Sequence, residues 1–184
     1  MRCALALLCV TFAGSALAEP ARETIANLGG PVDPVCLFSG LTGIGSDGTS
    51  IVVLPNGAAV EFRRFVDPDT ALPLPLTLTI AFTSTCNFSH RVTLASRDGG
   101  IARVGGGTAA PGFAFSRNYT AQVAWAGGQS EFTTSGTAGE GAGFNVLGAN
   151  IGGFDLNVSA PSGATPLLAG AYADVLTIQV SGMP

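Results

Sequence analysis

The sequence predicts an all-β protein, an antiparallel β-sandwich, and two features predict it. Alternation of apolar and polar residues recurs along the chain, whereas the apolar spacing of amphipathic helices is nearly absent. Turn segments rich in glycine and proline separate the alternating runs, with 26 glycines and 11 prolines among 184 residues. About eight or nine short strands in one domain are therefore expected.

The first half of the chain contains four predicted strands. Strands over 50–54 and 58–65 flank a Pro-Asn-Gly turn, and Asn-Gly between apolar runs favours a hairpin because both residues tolerate positive φ. After a proline-rich loop comes the clearest strand, Leu76–Cys86, whose even-numbered residues share one mostly apolar face. A shorter strand over 91–95 follows, with Val92 and Leu94 facing inward.

The second half contains a glycine-rich stretch, 98–112, and then further strands over 118–125, 129–134, 144–147 and 154–159. A Gly-Gly pair at 127–128 is expected to close the hairpin between the first two of these four strands. The last predicted strand covers 169–180. It has no following hairpin partner, so it either pairs inside its own sheet or leaves one edge for another chain.

The N-terminus has the form of a secretory signal peptide. A basic start at Arg2 precedes about ten apolar residues and an Ala-Leu-Ala ending at Ala18. The apolar run is too short to span a bilayer. The predicted organisation is a signal peptide at 1–18, a flexible extension at 19–34 and one β-sandwich domain at 35–184, with no direct membrane insertion.

Two cysteines, Cys36 and Cys86, remain after removal of the signal peptide. In an exported chain they are expected to form one disulfide, since two free thiols would require a reducing compartment. Closing a loop of this length constrains the unfolded chain by about 4 kcal/mol in the chain-entropy model.

The charge pattern excludes two classes of partner. Charged residues make up only 11% of the chain, and all eight basic residues are arginines. Without the signal peptide, seven arginines face twelve acids, a net charge of about −5. Neither nucleic acid nor an anionic membrane surface is expected to bind such a chain.

No constellation of residues predicts catalysis, a cofactor or a metal. His90 is the only histidine and is expected at the surface, so a nucleophile–base pair cannot be assembled around it. Zinc needs three or four ligands, and the disulfide uses both cysteines. The aspartates near 67–69 and 98 lack the spacing of a calcium loop. The sequence thus favours a protein that is not an enzyme.

Three features together resemble the spore coat protein U family, the subunits of archaic chaperone–usher pili. One cysteine lies near the mature N-terminus, and a second ends a long alternating strand. The chain then closes with Gly-Ala-Tyr-Ala-Asp at 170–174 and an aliphatic strand, as members of this family do. The segment 117–123 is also similar, although less specifically. The resemblance spans most of 35–181.

The resemblance implies an immunoglobulin-like sandwich that lacks its seventh strand and so has an open groove beside its C-terminal strand. A periplasmic chaperone fills the groove with a strand, an outer-membrane usher assembles the subunits, and the extension of a neighbouring subunit replaces the chaperone's strand. The implied groove residues are Tyr172, Leu176, Ile178 and Val180. The implied location is the bacterial cell surface, reached through the periplasm, or the medium.

The possible donor segment departs from the family pattern. It offers only Ile25, Leu28 and Val32, and the first two do not share a strand face. A minor, terminal or coat subunit is therefore favoured over a major polymerising one. The alternative function is a self-contained secreted sandwich that binds a carbohydrate or protein near Trp125, although a lone tryptophan is more often a core residue.

Overall fold

The computed structural model describes residues 29–55, 57–106 and 110–183. The predicted signal peptide and the extension up to residue 28 lie outside the described residues. A compact unit begins at Asp33. The described ranges contain strands and turns and no helix, so none of their segments is a candidate membrane-spanning helix.

Thirteen strands form within the described ranges. They are β1 (Cys36–Gly45), β2 (Thr49–Leu54), β3 (Gly57–Phe62), β4 (Leu76–Cys86), β5 (His90–Ser96), β6 (Ile101–Arg103), β7 (Ser116–Arg117), β8 (Thr120–Trp125), β9 (Gly128–Thr133), β10 (Gly141–Val146), β11 (Asn150–Ala160), β12 (Tyr172–Ala173) and β13 (Leu176–Gly182).

Two main sheets build the domain. The larger has five strands in the order β1-β4-β11-β8-β9, and the smaller has three in the order β10-β5-β13. A short sheet, β12-β6-β7, and the hairpin β2-β3 complete the described structure. All of these strand pairings are antiparallel. The predictions of an all-β chain with antiparallel sheets are confirmed.

One hydrophobic core joins the two main sheets. The inward faces follow the predicted alternation, and each fully buried aliphatic or aromatic side chain contributes about 1.5–3 kcal/mol relative to exposure. The largest contributions come from β4, β5, β8 and β11, with the side chains Leu76, Leu78, Ile80, Val92, Leu94, Val123, Trp125, Phe154, Leu156 and Val158.

A disulfide joins Cys36 to Cys86, as the sequence predicts. The two residues lie directly opposite each other where β1 pairs with β4, and their Cα atoms are 4.2 Å apart. The bridge therefore links the edge strand β1 to the neighbouring strand β4 of the larger sheet.

The strand β1 was not among the strands predicted from alternation. It contains three glycines and two adjacent apolar residues, Leu37 and Phe38, so the period of two is absent. Its register with β4 shifts between Ser39 and Thr42, and Gly40 between them has a φ of 67°. Alternation also does not predict the short strands β6 and β7, because runs of three and two residues are too short to show a period of two.

The prediction of one continuous strand over 169–180 is wrong. The chain forms β12 at Tyr172–Ala173, leaves the strand at Asp174 and Val175, and begins β13 at Leu176. The two pieces belong to different sheets, since β12 pairs with β6 and β13 pairs with β5. The side-chain hydrogen bonds of Asp174, described below, account for this break.

Candidate functional site

The C-terminal strand β13 lies at the edge of the smaller sheet. It pairs with β5, and no strand of the described chain pairs with its other side. The ladder with β5 runs from Leu176 to Gly182. The outer edge of β13 therefore offers a row of backbone groups of the kind to which a further strand can add.

The hydrogen-bond pattern identifies which backbone groups face outward. Arg97 donates its N–H to the carbonyl of Val175 (2.9 Å), and Met183 donates its N–H to the carbonyl of Ser89 (3.1 Å). Antiparallel ladders alternate between bonded and non-bonded pairs. The odd-numbered residues of β13 thus bond to β5, whereas the N–H and C=O groups of even-numbered residues such as Ile178 point to the outer edge.

The same even-numbered residues direct their side chains inward. Leu176, Ile178 and Val180 are half-buried and pack against the hydrophobic core, whereas Thr177 and Gln179 are exposed. An added strand would consequently hydrogen-bond to the residues whose side chains border the core. Alternation predicted this division of faces, but the open edge becomes visible only from the sheet pairing.

Tyr172 does not lie on β13, although the predicted groove set included it with the three aliphatic residues. It belongs to β12, and its hydroxyl donates to the carbonyl of Leu168 (2.7 Å). Its ring is 5.6 Å from that of Phe65. Burial raises the pKa of the Tyr172 hydroxyl. In this structure its side chain holds the loop that precedes β12.

The carboxylate of Asp174 fixes the start of β13. Its Oδ2 accepts from the hydroxyls of Ser96 and Tyr119, each at 2.6 Å. Its Oδ1 accepts from the N–H groups of Asp98 (3.0 Å) and Val175 (2.7 Å). These bonds connect the end of β5, the residue before β8 and the start of β13. We call this group the Asp174 cluster.

Within the Asp174 cluster, the hydroxyl of Tyr119 has the most strongly shifted pKa. Its side chain is buried, and burial raises its pKa well above the ordinary value, while the hydrogen bond to Asp174 raises it further. The phenol therefore stays protonated and remains a hydrogen-bond donor. The hydrogen bonds of the Asp174 cluster hold the start of β13 against the end of β5 and against Tyr119.

Arg117 is buried and hydrogen-bonds to the chain segments around Leu74 and Pro161. The sequence pattern does not predict this role. Its Nη2 donates to the carbonyls of Pro161 (2.9 Å) and Ala160 (3.3 Å), and also to that of Leu74. Its guanidinium lies 5.2 Å from the ring centre of Phe65. Desolvation lowers its pKa. No local sequence signal distinguishes this arginine from a surface one.

The prediction that His90 lies at the surface is wrong. Its exposed fraction is 0%, and its ring stacks on Trp125 at a centroid distance of 4.6 Å. Trp125 is itself 2% exposed, so its indole face is not available as a platform for a sugar. His90 begins β5 with the same inward orientation as Val92 and Leu94, which alternation could have revealed.

Of the possible donor segment, Ile25 and Leu28 lie outside the described residues. Val32 is described and is 83% exposed.

No protein-family model matches this sequence, and no curated protein or solved structure is significantly similar to it. The resemblance to the spore coat protein U family therefore stays a prediction that rests on the residues quoted for it.

Proposed function

We propose that this chain is a non-catalytic structural subunit of a bacterial surface fibre or coat. Its domain would be an immunoglobulin-like sandwich that lacks one strand and receives the missing strand from another chain. The observation that carries the proposal is the outer edge of β13. There Leu176, Ile178 and Val180 point their backbone N–H and C=O groups to the open edge and their side chains to the core.

The sizes of the two main sheets support strand addition. The larger sheet has five strands and the smaller has three, and side chains from both belong to one hydrophobic core. A strand added beside β13 would extend the smaller sheet, gain backbone hydrogen bonds and place alternate side chains against the core. The proposed donors are a periplasmic chaperone and, after release at an outer-membrane usher, a neighbouring subunit.

The proposed subunit receives a strand more readily than it provides one. The segment 19–34 has few large apolar residues and includes three prolines, and proline removes ladder donors. A minor, terminal or coat position in the assembly follows from this composition. Export through the periplasm to the cell surface is part of the same proposal.

Periplasmic expression with and without the chaperone encoded beside the gene tests the proposal. We expect the chain alone to aggregate or be degraded, because its incomplete core and open edge are exposed. With the chaperone it should purify as a stable one-to-one complex. A chain that is soluble, monomeric and cooperatively folded without any partner would overturn the proposal.

A pair of variants on β13 localises the interaction. Ile178→Ala removes an inward side chain at the outer edge, whereas Gln179→Ala truncates an exposed side chain on the opposite face. We expect Ile178→Ala to lower chaperone co-purification several-fold and Gln179→Ala to leave it unchanged. Equal recovery of the two variants would exclude this edge as the acceptor.

A further inference from the structure

Three side chains that can bind a metal converge beside the core. One sulfur from each of Cys36 and Cys86 and a nitrogen of His90 all lie within 4.8 Å of one another. Cys86 and His90 are buried, and Cys36 is half-buried. The cluster results from the β1–β4 pairing and from the inward orientation of the first residue of β5.

The imidazole of His90 is held as a metal-binding histidine would be. Its Nδ1 lies 2.7 Å from the carbonyl oxygen of Phe88. A carbonyl oxygen only accepts, so Nδ1 carries a proton and donates, and in the neutral imidazole the lone pair is on Nε2. This buried Nε2 has no hydrogen-bond partner within the described residues. Metal-ligating histidines commonly donate their other N–H to a backbone carbonyl in this way.

Two aromatic neighbours fix the orientation of the ring. Trp125 stacks on His90 with an angle of 30° between the planes, and the Phe88 ring approaches edge-on at 5.7 Å. The imidazole is thus oriented without any help from a metal. In the disulfide form the two sulfurs are bonded to each other and offer no thiolate.

We propose that the dithiol form of this protein binds one Cu(I) ion through the thiolates of Cys36 and Cys86 and the Nε2 of His90. Thiolate ligands suit both Cu(I) and zinc, but a zinc site with three protein ligands keeps a fourth position for water or substrate, whereas Cu(I) is stable with three ligands alone. The disulfide and the metal site exclude each other, because both use the same two sulfurs.

Cu(I) binding requires that the disulfide is first reduced. A phosphine reductant and one water convert the disulfide into two thiols and a phosphine oxide. Each thiol then loses its proton to solvent as Cu(I) binds, and the metal keeps its oxidation state. A thiol-specific oxidant or a small-molecule disulfide would return the protein to the bridged form and release the ion.

Anaerobic competition with a chromophoric Cu(I) chelator tests the site. The protein is reduced with a phosphine, freed of reductant, checked for two thiols and titrated with Cu(I). We expect one Cu(I) per chain for the dithiol form and none for the disulfide form. His90→Phe retains an aromatic ring and should bind at least about tenfold more weakly.

X-ray absorption on the reduced, Cu(I)-loaded wild-type protein does not depend on whether a variant folds. We expect two sulfur scatterers and one imidazole nitrogen around copper. The proposal would be overturned by sulfur scatterers without the nitrogen, or by a dithiol form whose circular dichroism shows an unfolded chain. In the competition assay it would be overturned if His90→Phe bound Cu(I) as tightly as the wild type, or if the chelator removed all copper from the wild type.

Discussion

At the residue scale, the turn between β8 and β9 carries local strain. Ala126 and Gly127 both have positive φ, 53° and 78°, which is the pattern of a type I′ hairpin turn. The expected Gly-Gly turn at 127–128 is therefore displaced by one residue. Gly128 belongs to β9, where a Cβ atom would clash with the ring of Phe144.

Ala126→Gly should stabilise the domain by about 0.5–1 kcal/mol, because glycine adopts positive φ without the clash of a Cβ atom. Chemical denaturation measures the change. The control is Ala124→Gly in the extended part of β8, which should lower the free energy of unfolding by a similar amount. Two changes of the same sign would contradict the strain at Ala126.

Tyr119→Phe should change how stability depends on alkaline pH. The pKa of Tyr119 is raised in the folded protein, so the folded state holds the proton more tightly than the unfolded state does. The resulting stabilisation is complete below the ordinary tyrosine pKa of about 10 and is lost as pH rises above it. The wild-type free energy of unfolding should therefore fall more steeply above pH ~10 than that of the variant.

Urea denaturation between pH 7 and 11 checks this expectation. At neutral pH the variant should be about 1 kcal/mol less stable, because the hydrogen bond to Asp174 is lost. The difference in the free energy of unfolding between the wild type and the variant should narrow as pH rises above about 10. A constant gap across the whole pH range would show that the hydroxyl titrates as an unperturbed phenol.

At the scale of the element, the Asp174 cluster decides where the terminal strand begins. Asp174→Ala removes the acceptor of four hydrogen bonds and leaves buried donors unpaired, so a loss of about 2–3 kcal/mol is expected. Hydrogen exchange should show β13 opening before β4. Asp155→Ala, at an exposed position of β11, is the control and should change stability by less than about 0.5 kcal/mol.

At the scale of the whole molecule, the disulfide connects β1 to β4, two neighbouring strands of the larger sheet. Replacing both cysteines by alanine should lower the free energy of unfolding by about 4 kcal/mol, because the loop between them spans 50 residues. Equilibrium denaturation of the double variant and of the reduced wild-type protein measures the change. A loss below about 1 kcal/mol would contradict the loop-closure account.

Much of the fold could be predicted from alternation, because a period of two reports which residues of a strand face the core. The bounds of Leu76–Cys86 and the inward faces of β5, β8 and β11 follow from this signal. The half-buried set Leu176, Ile178 and Val180 follows from it as well. The break at Asp174 does not, since it depends on hydrogen bonds to residues 55 and 78 positions away in the chain.

The sequence by itself determined the all-β class, the cysteine pair and the two faces of most strands, because these depend on local periodicity and residue type. Only the tertiary structure decided that β1 is a strand, that the inward side chain of His90 lies beside the Cys36–Cys86 disulfide, and that β13 occupies a sheet edge. Each of these depends on which distant segments pair, and local periodicity carries no information about pairing partners.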